Sequence, residues 1–156
     1  TISIGYGATL VASMLAHIIL IKKEYNLVKN LHGLLIFSLL FVIVGTMLGG
    51  IWADQSWGRF WGWDPKENGA LLVSLWLLFI LHGKISGIFN QLLFTIASAF
   101  SSVIVILAWF GVNLLNVGLH SYGFSSGTAY SILILSAVEV ILLTALYVRN
   151  KLLMKM

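Results

Sequence analysis

Cysteine is absent from this 156-residue chain, proline occurs once, and charged residues make up only 9% of it. Without thiols the chain can form no disulfide, Cys-ligated zinc site or iron–sulfur cluster, and it has no thiol nucleophile. It also lacks the CxxCH motif by which a c-type cytochrome attaches its haem. Any metal chemistry must therefore rest on the four histidines or on carboxylates.

The shortage of charge accompanies a large excess of apolar residues. Hydrophobic residues make up 60% of the chain and its mean hydropathy is +1.00, whereas roughly 25% of the residues of a soluble domain are charged. This composition excludes soluble enzyme folds and requires lipid as the main solvent, with α-helices as the spanning element. At roughly 20 residues per span, we predict an all-α, polytopic membrane helical bundle of about five transmembrane helices that forms a single domain, 1–156.

Charge between the apolar runs predicts the orientation. The five runs cover 1–21, 31–52, 65–83, 92–115 and 128–148. Seven of the nine basic residues fall on one side of the membrane if the spans alternate: Lys22, Lys23, Lys29, Lys84, Arg149, Lys151 and Lys155. The positive-inside rule then predicts an outside N-terminus, a cytoplasmic C-terminus and two outer loops, 52–67 and 116–127. The net charge of +4 forms no basic stripe, so we expect no nucleic-acid partner.

The first outer loop is rich in tryptophan. The segment 52–67 reads WADQSWGRFWGWDPKE and holds four of the six tryptophans, Trp52, Trp57, Trp61 and Trp63. An interfacial aromatic belt is the simpler interpretation, but a belt does not require four rings in one loop. Glycines between the rings let the backbone approach whatever the rings cover, which favours a platform for a large planar ligand.

The same segment ends in a helix start. Asp64 fits an N-cap, Pro65 the first helical position and Glu67 the third position of a capping box. We therefore expect structural roles for Asp64 and Glu67. A helix N-terminus beside Arg59 and Lys66 also attracts anions such as carboxylates.

Two segments together identify a resemblance. WGRFWGWDPKE, at 57–67, matches the WGxxWxWDPKE motif of the tryptophan-rich (WWD) haem-handling family of cytochrome c assembly proteins, and GVNLLNVGLHSYG, at 111–123, resembles the second outer segment of that family. The resemblance covers roughly 34–123 and is closest to the CcsA or ResC type of System II. His120 falls on the position of the family's haem-ligating histidine in that second outer segment.

The resemblance implies haem delivery on the outer, periplasmic or lumenal face and covalent attachment to the CxxCH motif of apocytochrome c, as in a holocytochrome c synthase (haem lyase). The cargo implied is haem b, and the implied partner is a CcsB- or ResB-type subunit or a fused N-terminal part. The membrane would be the bacterial inner membrane or the plastid thylakoid. The residues implied in haem binding are Trp52, Trp57, Arg59, Trp61, Trp63, Asp64, Lys66, His82 and His120, with His120 on the outer iron and His82 on a possible inner iron.

Spacing predicts that these two histidines serve separate sites. His82 follows Glu67 by fifteen residues, which places it about 22 Å farther along a helix. The family needs a further external histidine before the tryptophan loop, and no residue here supplies it. Because Thr1 already lies in an apolar run, we expect a piece of a longer protein or complex.

Other polar residues leave alternatives open. Glu139 lies near the middle of the fifth run, where we expect a carboxyl bonded to a neighbouring helix, for example through Ser or Thr hydroxyls, or else a haem role. His17 and His32 are expected to be interfacial. Two alternative functions remain, namely a CcmC-like haem exporter or holder that performs no attachment, and a membrane bundle that binds no haem.

Overall fold

The computed structural model describes residues 1–112 and 126–153, and all regular structure in those residues is helical. The helices are α1 (Ile2–Lys22), α2 (Val28–Trp57), α3 (Pro65–Ile85), α4 (Gln91–Ala99), α5 (Ser101–Trp109) and α6 (Ser126–Leu153), with a 3-10 turn at Tyr25–Leu27 before α2. Five segments are long and apolar enough to cross a membrane: Ile2–Lys22, Tyr25–Trp57, Pro65–Ile85, Gln91–Trp109 and Ala129–Leu153. The prediction of an all-α membrane bundle with about five spans is confirmed.

The bundle has two chemically distinct ends. We call the end that holds the segment 52–67 and the C-terminus of α5 the tryptophan end. We call the opposite end, where α1 and α3 finish, the lysine end; its described basic residues are Lys22, Lys23, Lys29, Lys84, Arg149 and Lys151. The side of the membrane that each end faces stays a prediction from the charge distribution.

Small residues allow close helix packing, as is usual in membranes. A Cβ atom on Gly5 of α1 would lie 2.7 Å from the backbone nitrogen of Val42 on α2. A Cβ atom on Gly69 of α3 would lie 2.6 Å from the carbonyl oxygen of Ala108 on α5. These two glycines therefore set the separation of the α1–α2 and α3–α5 pairs.

The fourth span contains a break that the apolar run 92–115 does not reveal. Helix α4 ends at Ala99 and α5 begins at Ser101. The Ala99 carbonyl accepts hydrogen bonds from the hydroxyls of Ser13, at 2.6 Å, and Ser102, at 3.0 Å. Because a free carbonyl is costly in hydrocarbon, these two hydroxyls make the break tolerable. Helix α5 ends at Trp109, before the predicted end of the run.

The tryptophan segment is more helical than expected. Helix α2 continues past the predicted end of its apolar run and finishes at Trp57, where Gly58 adopts a left-handed φ of 70° and caps it. Only residues 58–64 separate α2 from α3. The predicted outer loop 52–67 is thus longer than the irregular segment, and Trp52 and Trp57 stand on a helix.

Helix α6 is the most lipid-exposed helix of the bundle. Its large apolar side chains are mostly exposed, as shown by Leu133 at 64% and Ile141 at 69%. Near the lysine end it is fastened by polar groups, because Arg149 Nη2 and Asn150 Nδ2 both donate to the Leu20 carbonyl of α1.

The packing predicts opposite effects for two glycines of α1. Gly5→Ala forces a Cβ atom into the α2 backbone and should lower the free energy of unfolding by about 1–3 kcal/mol. Gly7→Ala is the matched control, because nothing lies within 4 Å of its Cβ position, and it should raise stability by about 0.5–1 kcal/mol. Thermal unfolding in detergent, followed by circular dichroism, measures both; equal effects would contradict the packing described.

Candidate functional site at the tryptophan end

A capping box closes the tryptophan segment onto α3. The Lys66 backbone N–H donates to Asp64 Oδ1 at 3.0 Å, and Glu67 Oε2 accepts from the Asp64 N–H at 3.1 Å. The same oxygen accepts from the Gly62 N–H at 2.8 Å. Asp64 is only 4% exposed. The expected structural roles of Asp64 and Glu67 are confirmed, and Glu67 additionally holds the backbone two residues before the cap.

The arginine of the segment lies across a glycine. Arg59 Nη1 is 3.5 Å from Glu67 Oε1, and its guanidinium carbon lies 6.0 Å from the centre of the Trp57 ring. A Cβ atom on Gly62 would lie 1.1 Å from Arg59 Nη1. Gly62 leaves open the space through which the guanidinium reaches Glu67 and Trp57, and a side chain at residue 62 would displace the guanidinium.

The irregular segment and α2 enclose an apolar cleft of about 210 Å³. Its aromatic wall consists of Trp52, Trp57, Phe60 and Trp61, and glycines 45, 49 and 50 of α2 also line it. Lys66 and Glu67 stand at its polar edge. The rings of Trp52 and Trp57 meet edge to face, with their centres 4.9 Å apart. The structure thus brings three of the four predicted tryptophans into one cleft.

Trp63 does not line this cleft. It is 70% exposed and its backbone has a left-handed φ of 58°. Its ring meets Trp61 edge to face at 6.1 Å, and its carbonyl accepts from Asn68 Nδ2 at 3.1 Å. Trp63 therefore buttresses Trp61 and presents an apolar face outward.

Phe60 is a cleft residue that sequence reasoning missed. A Cβ atom on Gly50 would lie 2.7 Å from the Phe60 ring, so the ring lies directly over the glycine surface of α2. Gly50 and Phe60 are ten residues apart in the sequence, and no known motif links the two positions.

The two basic residues of the segment are differently placed. Arg59 is engaged by Glu67 and Trp57 and does not line the cleft. Lys66 lines the cleft, and its Nζ atom donates to the Trp109 carbonyl at the end of α5, at 3.5 Å. Of the two, Lys66 is the cation that the cleft itself presents.

His82 lies at the other end of α3, as expected. It is exposed, and its Nδ1 atom is 2.8 Å from the Leu78 carbonyl oxygen. A carbonyl only accepts, so Nδ1 carries the proton and the lone pair of Nε2 is left for a metal or a hydrogen-bond donor. In the part of the chain that the structure describes, no three His, Asp or Glu side chains gather as a metal site. His120 and residues 116–125 of the second outer loop lie outside the described residues.

A polar pair inside the bundle is a second unforeseen feature. His17 Nε2 of α1 lies 2.9 Å from Glu139 Oε1 of α6, and the Ser102 hydroxyl of α5 donates to the same oxygen at 3.2 Å. The expectation that Glu139 bonds a hydroxyl of a neighbouring helix is confirmed. The contact with this carboxyl is a partner of His17 that the sequence did not predict, and the interfacial position expected for His17 stays a prediction.

Comparison with known proteins identifies the family of this chain. Residues 1–120 match the family described as cytochrome C assembly protein, and this match covers most of the chain. The chain belongs to the cytochrome c assembly family. The matched region contains the whole tryptophan segment, the glycines of α2 and both His82 and His120.

Individual relatives agree with the family. The chain is 34% identical over 134 residues to the cytochrome c biogenesis protein CcsA of Chlamydomonas reinhardtii, which covers 78% of this chain and 38% of that protein. It is 37% identical over 106 residues to CcsA of Morus indica, which covers 64% of this chain and 32% of that protein. The chain thus spans only about a third of the length of these relatives. No solved structure matches it significantly.

The two hydrogen bonds of the Glu67 carboxylate predict that substitutions of Glu67 lower stability to different degrees. Glu67→Ala removes the acceptor of two backbone N–H groups and should lower the free energy of unfolding by about 1–2 kcal/mol. Glu67→Gln retains an acceptor oxygen and should cost less than half of that. Thermal unfolding in detergent measures both variants, and tryptophan fluorescence reports the cleft. An alanine variant as stable as the wild type would contradict the role given to Glu67.

The His17–Glu139 contact predicts energetic coupling. In a double-mutant cycle of His17→Ala and Glu139→Ala, the coupling energy should be about 1 kcal/mol. Glu139→Ala removes the partner of His17 Nε2, and His17→Ala leaves Glu139 Oε1 with the Ser102 hydroxyl alone. Unfolding free energies of the four proteins in detergent give this value. Effects that add within about 0.3 kcal/mol would show that the contact has no energetic weight.

Proposed function

We propose that this chain holds haem at the tryptophan end and presents it for covalent attachment to apocytochrome c. The observation that carries the proposal is the cleft itself, which is lined by three tryptophans and Phe60 together with three glycines of α2. Phe60 covers Gly50 and Ile2 covers Gly45, whereas nothing lies within 4 Å of the Cβ position of Gly49. Flat rings beside this open stretch of backbone suit a flat apolar ligand. The names of the CcsA relatives, which are cytochrome c biogenesis proteins, agree with it.

The size of the cleft favours partial coverage of the haem. Its volume of about 210 Å³ is below the roughly 300–1,000 Å³ usual for sites that enclose drug-sized ligands. It therefore suits one edge of a porphyrin, with the remaining surface covered by other segments or by a CcsB- or ResB-type partner. This fits a chain that spans a third of its relatives.

Named residues then take separate roles. Trp52, Trp57 and Trp61 contact the porphyrin, and Lys66 is placed to neutralise a propionate. Arg59 acts through Trp57 and Glu67, which it holds in place. His120 is proposed as an axial ligand of the outer iron, by resemblance to the family motif. His82, with Nε2 left over, is proposed as a ligand of haem at the lysine end.

The attachment step needs no nucleophile from this chain. Each client thiol adds across one haem vinyl group, so that sulfur bonds to the vinyl carbon next to the ring and the thiol hydrogen ends on the terminal carbon. No group leaves and no electrons are exchanged. Because the chain has no cysteine, its contribution is to position haem and client. Haem-lyase activity would therefore belong to the larger complex.

The orientation and membrane complete the proposal. Six described basic residues lie at the lysine end, and the positive-inside rule therefore favours an outer position for the tryptophan end. The membrane is then a bacterial inner membrane or a plastid thylakoid, with the cleft on the periplasmic or lumenal side.

Haem binding can be tested by substituting Trp61 and Trp63 one at a time. Trp61→Ala should weaken haem binding about tenfold, which is 1.4 kcal/mol, because Trp61 lines the cleft. Trp63→Ala is the matched control and should weaken it less. Absorption titration of the purified chain, with any subunit that copurifies, measures both. Equal losses would contradict the division of roles, and no haem bound under any condition would favour the non-haem bundle.

The iron ligand and the attachment step need separate measurements. His120→Ala should convert a low-spin haem spectrum to high spin, with recovery on adding imidazole, whereas His32→Ala should leave the spectrum unchanged.

Incubation of the haem-loaded complex with a CxxCH peptide should give a covalent product detectable by mass spectrometry. Bound haem without product would favour the exporter or holder.

A further inference from the structure

A cleft of about 540 Å³ opens at the lysine end, away from the site described above. It lies between the connection from α1 to α2 and the connection from α3 to α4. Its polar lining comes from Tyr25, Asn26, Lys29, His32, Lys84 and Gln91. None of the residues that line it is acidic.

The two lysines of this cleft have no carboxylate partner within the described residues, where carboxylates lie within 4 Å of a basic side chain only at His17–Glu139 and Arg59–Glu67. Lys84 Nζ lies 5.6 Å from the centre of the Phe94 ring. That ring is completely buried, and the His32 ring packs against it at 6.0 Å. Phe94 thus gathers an ammonium group and an imidazole at one wall of the cleft.

His32 provides further evidence that the cleft binds a ligand. Its Nε2 atom is buried and has no hydrogen-bond partner among the described residues. A buried polar atom without a partner is unfavourable. A ligand oxygen that accepted a hydrogen bond from Nε2 would remove this cost. The N-termini of α2 and α4 lie beside the same cleft at Val28 and Gln91, and the C-terminus of α3 lies there at Ile85. Helix ends of both signs therefore meet at the cleft, and its positive charge comes from the two lysines.

We propose that this cleft binds the phosphate group of an anionic phospholipid, held by Lys29, Lys84 and His32. The site lies where four helix ends leave the apolar layer, which is the level of lipid headgroups. Val28 and Ile85 supply apolar lining against which the lipid's glycerol and first methylenes can rest. Basic clefts between helices on the side with excess positive charge are suited to such headgroups.

The test uses the purified chain, with any subunit that copurifies, in phosphatidylcholine nanodiscs containing increasing phosphatidylglycerol. Native mass spectrometry counts the phosphatidylglycerol molecules retained. The wild type should retain one tightly bound molecule per chain. At about 1 kcal/mol per lysine, Lys29→Gln with Lys84→Gln should weaken retention about 30-fold.

The control removes the same charge at the same end. Lys22→Gln with Lys151→Gln alters two lysines that do not line the cleft and should leave the tight molecule in place. Equal loss in both double variants would overturn the proposal in favour of diffuse attraction. Wild-type protein that retains no phosphatidylglycerol above its retention of phosphatidylcholine would also overturn it.

Two competitors and one variant identify the ligand. Inorganic phosphate or haemin that displaced the lipid at equal concentration would overturn the lipid assignment in favour of a free phosphate or a haem carboxylate. His32→Phe removes the unpartnered nitrogen, so without a lipid site it should be neutral or stabilising in phosphatidylcholine and in phosphatidylglycerol. If His32 contacts the lipid, phosphatidylglycerol should raise the melting temperature of the wild type and should raise that of His32→Phe less. An undiminished rise in His32→Phe would overturn the role given to His32.

Discussion

Hydrogen bonding of the backbone inside an apolar layer constrains where this chain can be irregular. A free carbonyl or N–H group is costly in hydrocarbon, so helices must run from one end of the bundle to the other and functional loops collect at the ends. The break after Ala99 is an exception that obeys the same rule, because Ser13 and Ser102 satisfy the exposed carbonyl. The short segment 58–64 can be irregular because Glu67 and Asp64 bind its N–H groups and those of the first turn of α3.

Under that constraint, α3 runs without a break from the tryptophan end to the lysine end. At its start, the cap positions the aromatic wall against the glycines of α2, and at its finish His82 stands exposed about 22 Å away. A single rigid helix thereby fixes the distance between the aromatic cleft and His82. Helix α6, in contrast, is mostly exposed to lipid and is fastened by polar groups at Glu139 and Asn150.

The sequence was sufficient for features that depend on composition or on neighbours in the chain. Hydropathy located five spans, and the spacing of Asp64 and Glu67 predicted a capping box. Helix α2 was predicted too short because hydropathy falls at the polar residues 54–56, whereas the helix continues until Gly58 can end it. The break after Ala99, the Phe60 wall and the His17–Glu139 contact each depend on a partner on another element or far along the chain, so no local pattern could reveal them. The placement of His120 remains a prediction from the motif.

Arg59 and Gly62 share one volume of space. The guanidinium occupies the position that a side chain at residue 62 would need, so neither position is independent of the other. A larger residue at 62 is compatible only with a smaller or differently directed residue at 59. A side chain at residue 62 would displace the guanidinium from Glu67 and Trp57. The effect of a substitution at either position therefore depends on the residue present at the other.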